Sequence, residues 1–155
     1  MRVFTRRFML AAAPIAVISP VRAAQVVTAY KTPGCACCEG WAQHLRSAGF
    51  TVNMVETAEL DRIRREAGVP EAMAGCHTGF IDRLTIEGHV PAAAVERLLA
   101  APSSWFGIAV PGMPIGSPGM EAPGQVPATY EIWGLRRGAV PIRFATARGS
   151  ALLPD

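Results

Sequence analysis

The chemistry of this 155-residue chain is concentrated in four cysteines, and three of them are packed into Cys35-Ala36-Cys37-Cys38, directly after the turn-forming Thr32-Pro33-Gly34. That setting places the thiols at the start of a helix. There the unpaired backbone N–H groups and the positive end of the helix dipole favour thiolate over thiol, which acidifies the cysteines and makes them nucleophilic. Cys35 and Cys38 have the Cys-x-x-Cys spacing of dithiol oxidoreductases. Cys37 has no place in a pure redox pair, and its neighbour Cys38 is an awkward disulfide partner for it. A third thiolate at this point fits a metal ligand. The fourth cysteine, Cys76, precedes His77. For an exported chain with an even cysteine count, two structural disulfides are the plain alternative.

Charge and softness bear on which metal. Four thiolates carry −4, against about +0.5 from the helix dipole, so one Zn²⁺ leaves about −2 and one Cu(I) about −3. The motif contains no Lys or Arg, and Lys31 is the nearest base. Several Cu(I) ions bridged by shared thiolates would neutralise such a site. Thiolates and thioethers select Cu(I), zinc or iron–sulfur clusters, and Met113 and Met120 are available as thioethers, each equally suited to filling a core.

The histidines are weaker candidates. His77 is read as a ligand beside Cys76, although strand alternation would turn it to the opposite face unless the backbone bulges. His44 follows Cys37 by seven residues, on the same helix face but two turns on, which suits a solvated position. His89 leads into a later helix. Trp41 is read as core, and Trp105 and Trp133 as packing the C-terminal part of the chain.

The elements that must position these residues follow from hydrophobic period and from turn residues. Gln25 to Tyr30 is a strand, Cys38 to Ala48 a helix closed by Gly49, and Phe50 to Val55 a second strand. Thr57 caps a helix that runs through Glu66, with Leu60, Ile63 and Ala67 apolar, and Gly68 and Pro70 end it. His77 to Ile81 and Leu84 to Glu87 are strands around Asp82-Arg83, and Pro91 opens a helix to Ala100. The order βαβαββα, with a cysteine cluster after the first strand, predicts a thioredoxin-like α/β domain over residues 24–100. In that fold the loop before the third strand faces the N-terminus of the first helix, which brings Cys76 to the other three.

Residues 101–155 form a C-terminal extension packed on the same domain. The Pro/Gly-rich stretch Pro102 to Pro127, whose core Val110 to Met120 cannot form a regular helix or central strand, is expected as a loop with defined turns. Thr129 to Trp133 and Ala139 to Phe144 then form a hairpin around Arg136-Arg137-Gly138, with Pro141 on an edge and Ala145 to Asp155 as a frayed tail.

Half of the residues are hydrophobic and 17% are charged, which excludes a disordered ground state, and the length excludes a large multidomain enzyme. The formal charge of +3 rests on Arg2, Arg6, Arg7 and Arg22. Without residues 1–23 there remain 11 basic against 12 acidic residues, a net of −1, and no electrostatic case for a nucleic-acid partner. Those residues read as an export signal: a basic start, the apolar run Phe8 to Ile18, and Val21-Arg22-Ala23 for cleavage. The run is too short to span a bilayer. Thr5-Arg6-Arg7-Phe8 resembles a twin-arginine signal, with an ordinary Sec signal as the alternative. The expected location is the periplasm.

Tyr30-Lys31-Thr32-Pro33-Gly34-Cys35-Ala36-Cys37-Cys38, then Trp41, His44-Leu45 and Ala48-Gly49-Phe50, resembles the opening of the CopG-like periplasmic copper-binding proteins. Cys76-His77-Thr78, Ile86 to Ala92 and the Gly107 to Glu121 loop resemble that family in the same order. The resemblance implies a thioredoxin-like domain with a C-terminal extension. It also implies a multinuclear, thiolate-bridged copper site on Cys35, Cys37, Cys38 and Cys76, with Met113, Met120 and a histidine as further ligands, and a role in copper resistance, either by sequestering copper or by changing its oxidation state. Other copper-resistance proteins are the implied partners. Two other readings remain open at this point: a thiol–disulfide oxidoreductase using Cys35 and Cys38, and a chaperone for a single copper or zinc ion.

Overall fold

The computed structural model describes residues 25–100 and 104–155, so the candidate export signal lies outside the described residues. Strand β1 (Val26–Lys31) alternates so that Val27 and Ala29 are buried on one face. It leads into helix α1 (Ala36–Ser47), whose buried residues Cys38, Trp41, Ala42 and Leu45 recur at helical spacing. Strand β2 (Thr51–Glu56) pairs parallel to β1, as expected when a helix makes the crossover. Helix α2 (Leu60–Glu66) begins three residues after Thr57, whose hydroxyl accepts the Glu59 N–H at 2.9 Å. A single 3₁₀ turn over Glu71–Met73 precedes β3 (His77–Ile81) and β4 (Leu84–Glu87), whose bounds match the sequence reading. Helix α3 spans Ala92–Ala100.

The C-terminal residues continue the same sheet. Strand β5 (Gly107–Ala109) pairs parallel to β4, and β6 (Thr129–Leu135), β7 (Ile142–Arg148) and β8 (Ala151–Leu152) follow, giving one eight-stranded mixed sheet in the order β2-β1-β3-β4-β5-β6-β7-β8. The result is a mixed α/β fold with one sheet and three α-helices among the described residues. Two expectations are corrected here. The hairpin's second strand begins after Pro141 rather than around it, which spares the ladder the missing N–H. The segment from Ala145 is no frayed tail: Ala145 and Ala147 are buried in the core opposite β6, and β8 adds a further rung.

The two faces of the sheet are covered differently. The larger core joins Val27, Ala29, Ile86, Ile108 and Ile132 to Trp41 and Leu45 of α1 and Val95 and Leu98 of α3. A smaller core on the other face gathers Ala109 and Leu135 with Val69 and Phe106, beyond the end of α2. Trp105 packs edge-on against Phe144, 5.6 Å between centroids, and so ties the chain after α3 to β7.

Candidate metal centre

Cys35 is the N-cap of α1, extended in backbone and making no side-chain cap of its own, and Cys37 and Cys38 lie in the first helical turn. The β1–α1 turn therefore aims three sulfurs off one helix end. Cys76 arrives from the loop ahead of β3, which pairs with β1 directly beneath that turn, Lys31 opposite His77. One ligand atom from each of the four cysteines lies within 4.8 Å of all the others. Cys37 Sγ is 3.5 Å from Cys35 Sγ and 3.7 Å from Cys76 Sγ, and Cys38 Sγ is 3.8 Å from the Cys76 carbonyl oxygen.

Within the cluster Cys35 and Cys38 are joined by a disulfide, and Cys37 and Cys76 are free thiols. Two structural disulfides are thereby replaced by one. Burial, then the neighbouring Cys37, pushes the Cys76 thiol up to about 12, so it is held as the neutral thiol at neutral pH. Lys31, the nearest base in sequence, spends its charge elsewhere, at 2.9 Å from Glu56 and 3.3 Å from Glu39.

His77 is fully buried on the face covered by α1, its ring 4.0 Å from that of Trp41, while Trp41 Nε1 donates to the Val90 carbonyl at 2.9 Å. His89 stands 5.2 Å from His77, ring to ring, and its Nδ1 donates to the Pro118 carbonyl at 2.8 Å, which leaves Nε2 bare. Both nitrogens of His77 and Nε2 of His89 are buried without a hydrogen-bond partner. Desolvation lowers both imidazoles, His77 further through the charge of His89, and keeps them neutral. His44 differs from its expected role: it is half-buried, and its Nε2 accepts the Ala92 N–H at the start of α3 at 3.0 Å.

The methionine loop brackets the cluster through its backbone. Gly112, next to Met113, bridges Gly75, next to Cys76, and its N–H donates to the Ala74 carbonyl at 3.0 Å. Gly119, next to Met120, lies flat on the first turn of α1 at φ +86°, where any Cβ would collide with the Cys37 carbonyl oxygen. The Glu121 carboxylate accepts the Gly119 N–H at 2.8 Å and fixes that turn. Met113 is exposed and Met120 half-buried. On the opposite face of the sheet Glu87, wholly buried, accepts from Arg64, Thr78 and the Gly75 N–H. Neither Arg64 nor Glu87 stands out in the sequence as a candidate site residue. The one available signal is that Glu87 shares the face of Thr85 in a strand with no exposed end.

Fold and site together define a single-sheet α/β protein with four cysteine sulfurs gathered where the first strand meets the first helix. A family described as a protein of unknown function, DUF411, matches residues 73–120, and no curated protein matches the chain. A solved structure of the copper resistance protein CopG, form 1, is 37% identical with a TM-score of 0.76, covering 81% of this chain and 99% of its own. Form 2 is 36% identical with a TM-score of 0.74, covering 84% of this chain and 99% of its own. The chain belongs to the family of CopG copper resistance proteins.

Proposed function

We propose that the protein is exported to the periplasm and holds Cu(I) in a thiolate-bridged, multinuclear site for copper resistance, either sequestering the metal or cycling its oxidation state with an external electron donor. The observation that carries this reading is the approach of all four cysteine sulfurs within 4.8 Å. Charge favours several soft ions sharing these sulfurs over one: four thiolates would leave about −2 with one Zn²⁺ and about −3 with one Cu(I), whereas several Cu(I) ions would neutralise them. Met113, Met120 and His77 complete the ligand set in this proposal. The unpartnered nitrogens of His77, buried beside Cys76, are what a missing soft cation would explain. The first half is read as a thioredoxin-like unit, supported by the order β2-β1-β3-β4 with β1 and β2 parallel. Export rests on the arginine-led apolar segment at the N-terminus. Copper passes to or from other copper-resistance proteins.

The test is an anaerobic Cu(I) titration of the fully reduced mature protein, with metal counted by mass spectrometry. Several ions per chain are expected, and both Cys37→Ala and Cys76→Ser should lose them. One ion per chain would instead indicate a single-metal chaperone. The Cys35–Cys38 disulfide favours a second reading, a thiol–disulfide oxidoreductase with Cys35 attacking and Cys38 resolving. That reading gains if Cys37→Ala keeps full dithiol exchange while no copper is bound.

A further inference from the structure

The segment bearing Cys76 is held by a buried ion pair that grips the backbone of Gly75, the residue before it. Glu87 Oε1 accepts Arg64 Nε and the Gly75 N–H, each at 2.8 Å, and Oε2 accepts the Thr78 hydroxyl at 2.6 Å. Arg64 Nη2 donates to the Gly75 carbonyl at 2.8 Å, and Nη1 reaches the exposed Asp61 at 2.8 Å. Both polar backbone atoms of Gly75 are thus fixed by one ion pair whose carboxylate is wholly buried. Gly75 has no side chain with which to hold itself, and its Cα packs against Gly88. A buried ion pair returns little net stability over apolar residues of the same volume, so stability alone does not account for this one. What the pair does supply is a fixed backbone at the residue before Cys76, whose sulfur stands 3.7 Å from Cys37 Sγ.

We infer that Arg64 and Glu87 are positioning residues for Cys76, setting its sulfur at bridging distance from Cys37 without touching metal. The role rests on the copper reading above. It also makes a prediction on the copper-free protein, so the two can fail separately.

The decisive variant is Arg64→Met/Glu87→Leu in the full mature protein. Removing both charges together leaves no buried ion unpaired, so the fold survives with near wild-type circular dichroism, at an unfolding midpoint lowered by the Gly75 and Thr78 polar groups that lose their partners. Three signals then change. Cu(I) affinity, measured against a chromogenic chelator, falls about 10- to 100-fold, the usual result of removing a group that orients a ligand. The thiolate-to-copper ultraviolet absorption comes to match that of Cys76→Ser. Without copper, a short bis-alkylating reagent links Cys37 to Cys76 in the wild type and fails to do so in the double variant. Arg64→Lys keeps a charge opposite Glu87 but lacks the planar fork that spans Glu87 and the Gly75 carbonyl, and gives intermediate values. If the double variant does not fold, Arg64→Lys decides the matter, and wild-type cross-linking in it overturns the inference. A folded double variant with wild-type affinity, spectrum and cross-linking also overturns it. A wild type that binds no copper yet loses cross-linking on substitution refutes the copper reading and leaves the positioning role standing.

Discussion

The two faces of the β3–β4 pair treat buried polar groups in opposite ways. On the α2 face, Glu87, Arg64, Thr78 and Gly75 form a network in which both carboxylate oxygens are engaged. On the α1 face, His77 and His89 bury three nitrogens without a well-formed hydrogen bond. Unpaired buried polar atoms cost stability, and a fold that satisfies one face so fully does not leave the other wanting for lack of means. The difference separates two jobs. The satisfied face holds backbone in place, and the other leaves His77 packed against Trp41 and His89 with its nitrogens unpaired.

The contrast breaks most visibly at Arg64. Arg64→Met alone strands the buried Glu87 carboxylate, and should cost about 3 to 5 kcal/mol in urea unfolding. The imidazole face answers instead to pH. Both imidazoles have folded pKa values below the ordinary 6.5, with burial the main cause, so the unfolded chain binds protons that the native state refuses. Stability is therefore complete above pH 6.5 and drains away as the pH falls toward the native values. The expected result for the copper-free protein is a urea midpoint that falls between pH 7 and pH 5, with His77, the more strongly lowered of the two, contributing the larger share. A flat profile would mean that the two rings are not neutral and unpaired. The mildest effect belongs to His77→Phe, which replaces unpaired nitrogens with an apolar ring of similar shape. It should leave copper-free stability within about 1 kcal/mol of wild type or raise it, while reducing the copper bound in the titration.

Much of this was legible in the sequence because it is written in short-range patterns. The Cys-x-Cys-Cys run marks a helix start, residues 38, 41, 42 and 45 repeat at helical spacing, and β3 and β4 carry their turn between them at Asp82-Arg83. What escaped is stabilised from far away. Gly107–Ala109 is too short to show a period and becomes a strand only because β4 and β6 flank it. The alternation Phe144-Ala145-Thr146-Ala147 is too weak to announce a strand until β6 pairs with it. Arg64 and Glu87 are 23 residues apart, and charged residues read as surface until a partner is seen. His44 looked solvated because α3, whose first N–H it accepts, follows 48 residues later.

In the proposed copper site, the Cys35–Cys38 bond would make metal capacity depend on electrons. While it is closed, only Cys37 and Cys76 keep an ionisable sulfur, half of the set. Opening it takes two electrons and two protons and restores the other half. On that reading the same chain would be a small vessel in oxidising surroundings and a larger one in reducing surroundings. Its copper content, at fixed copper supply, would then gauge the reductant that reaches it.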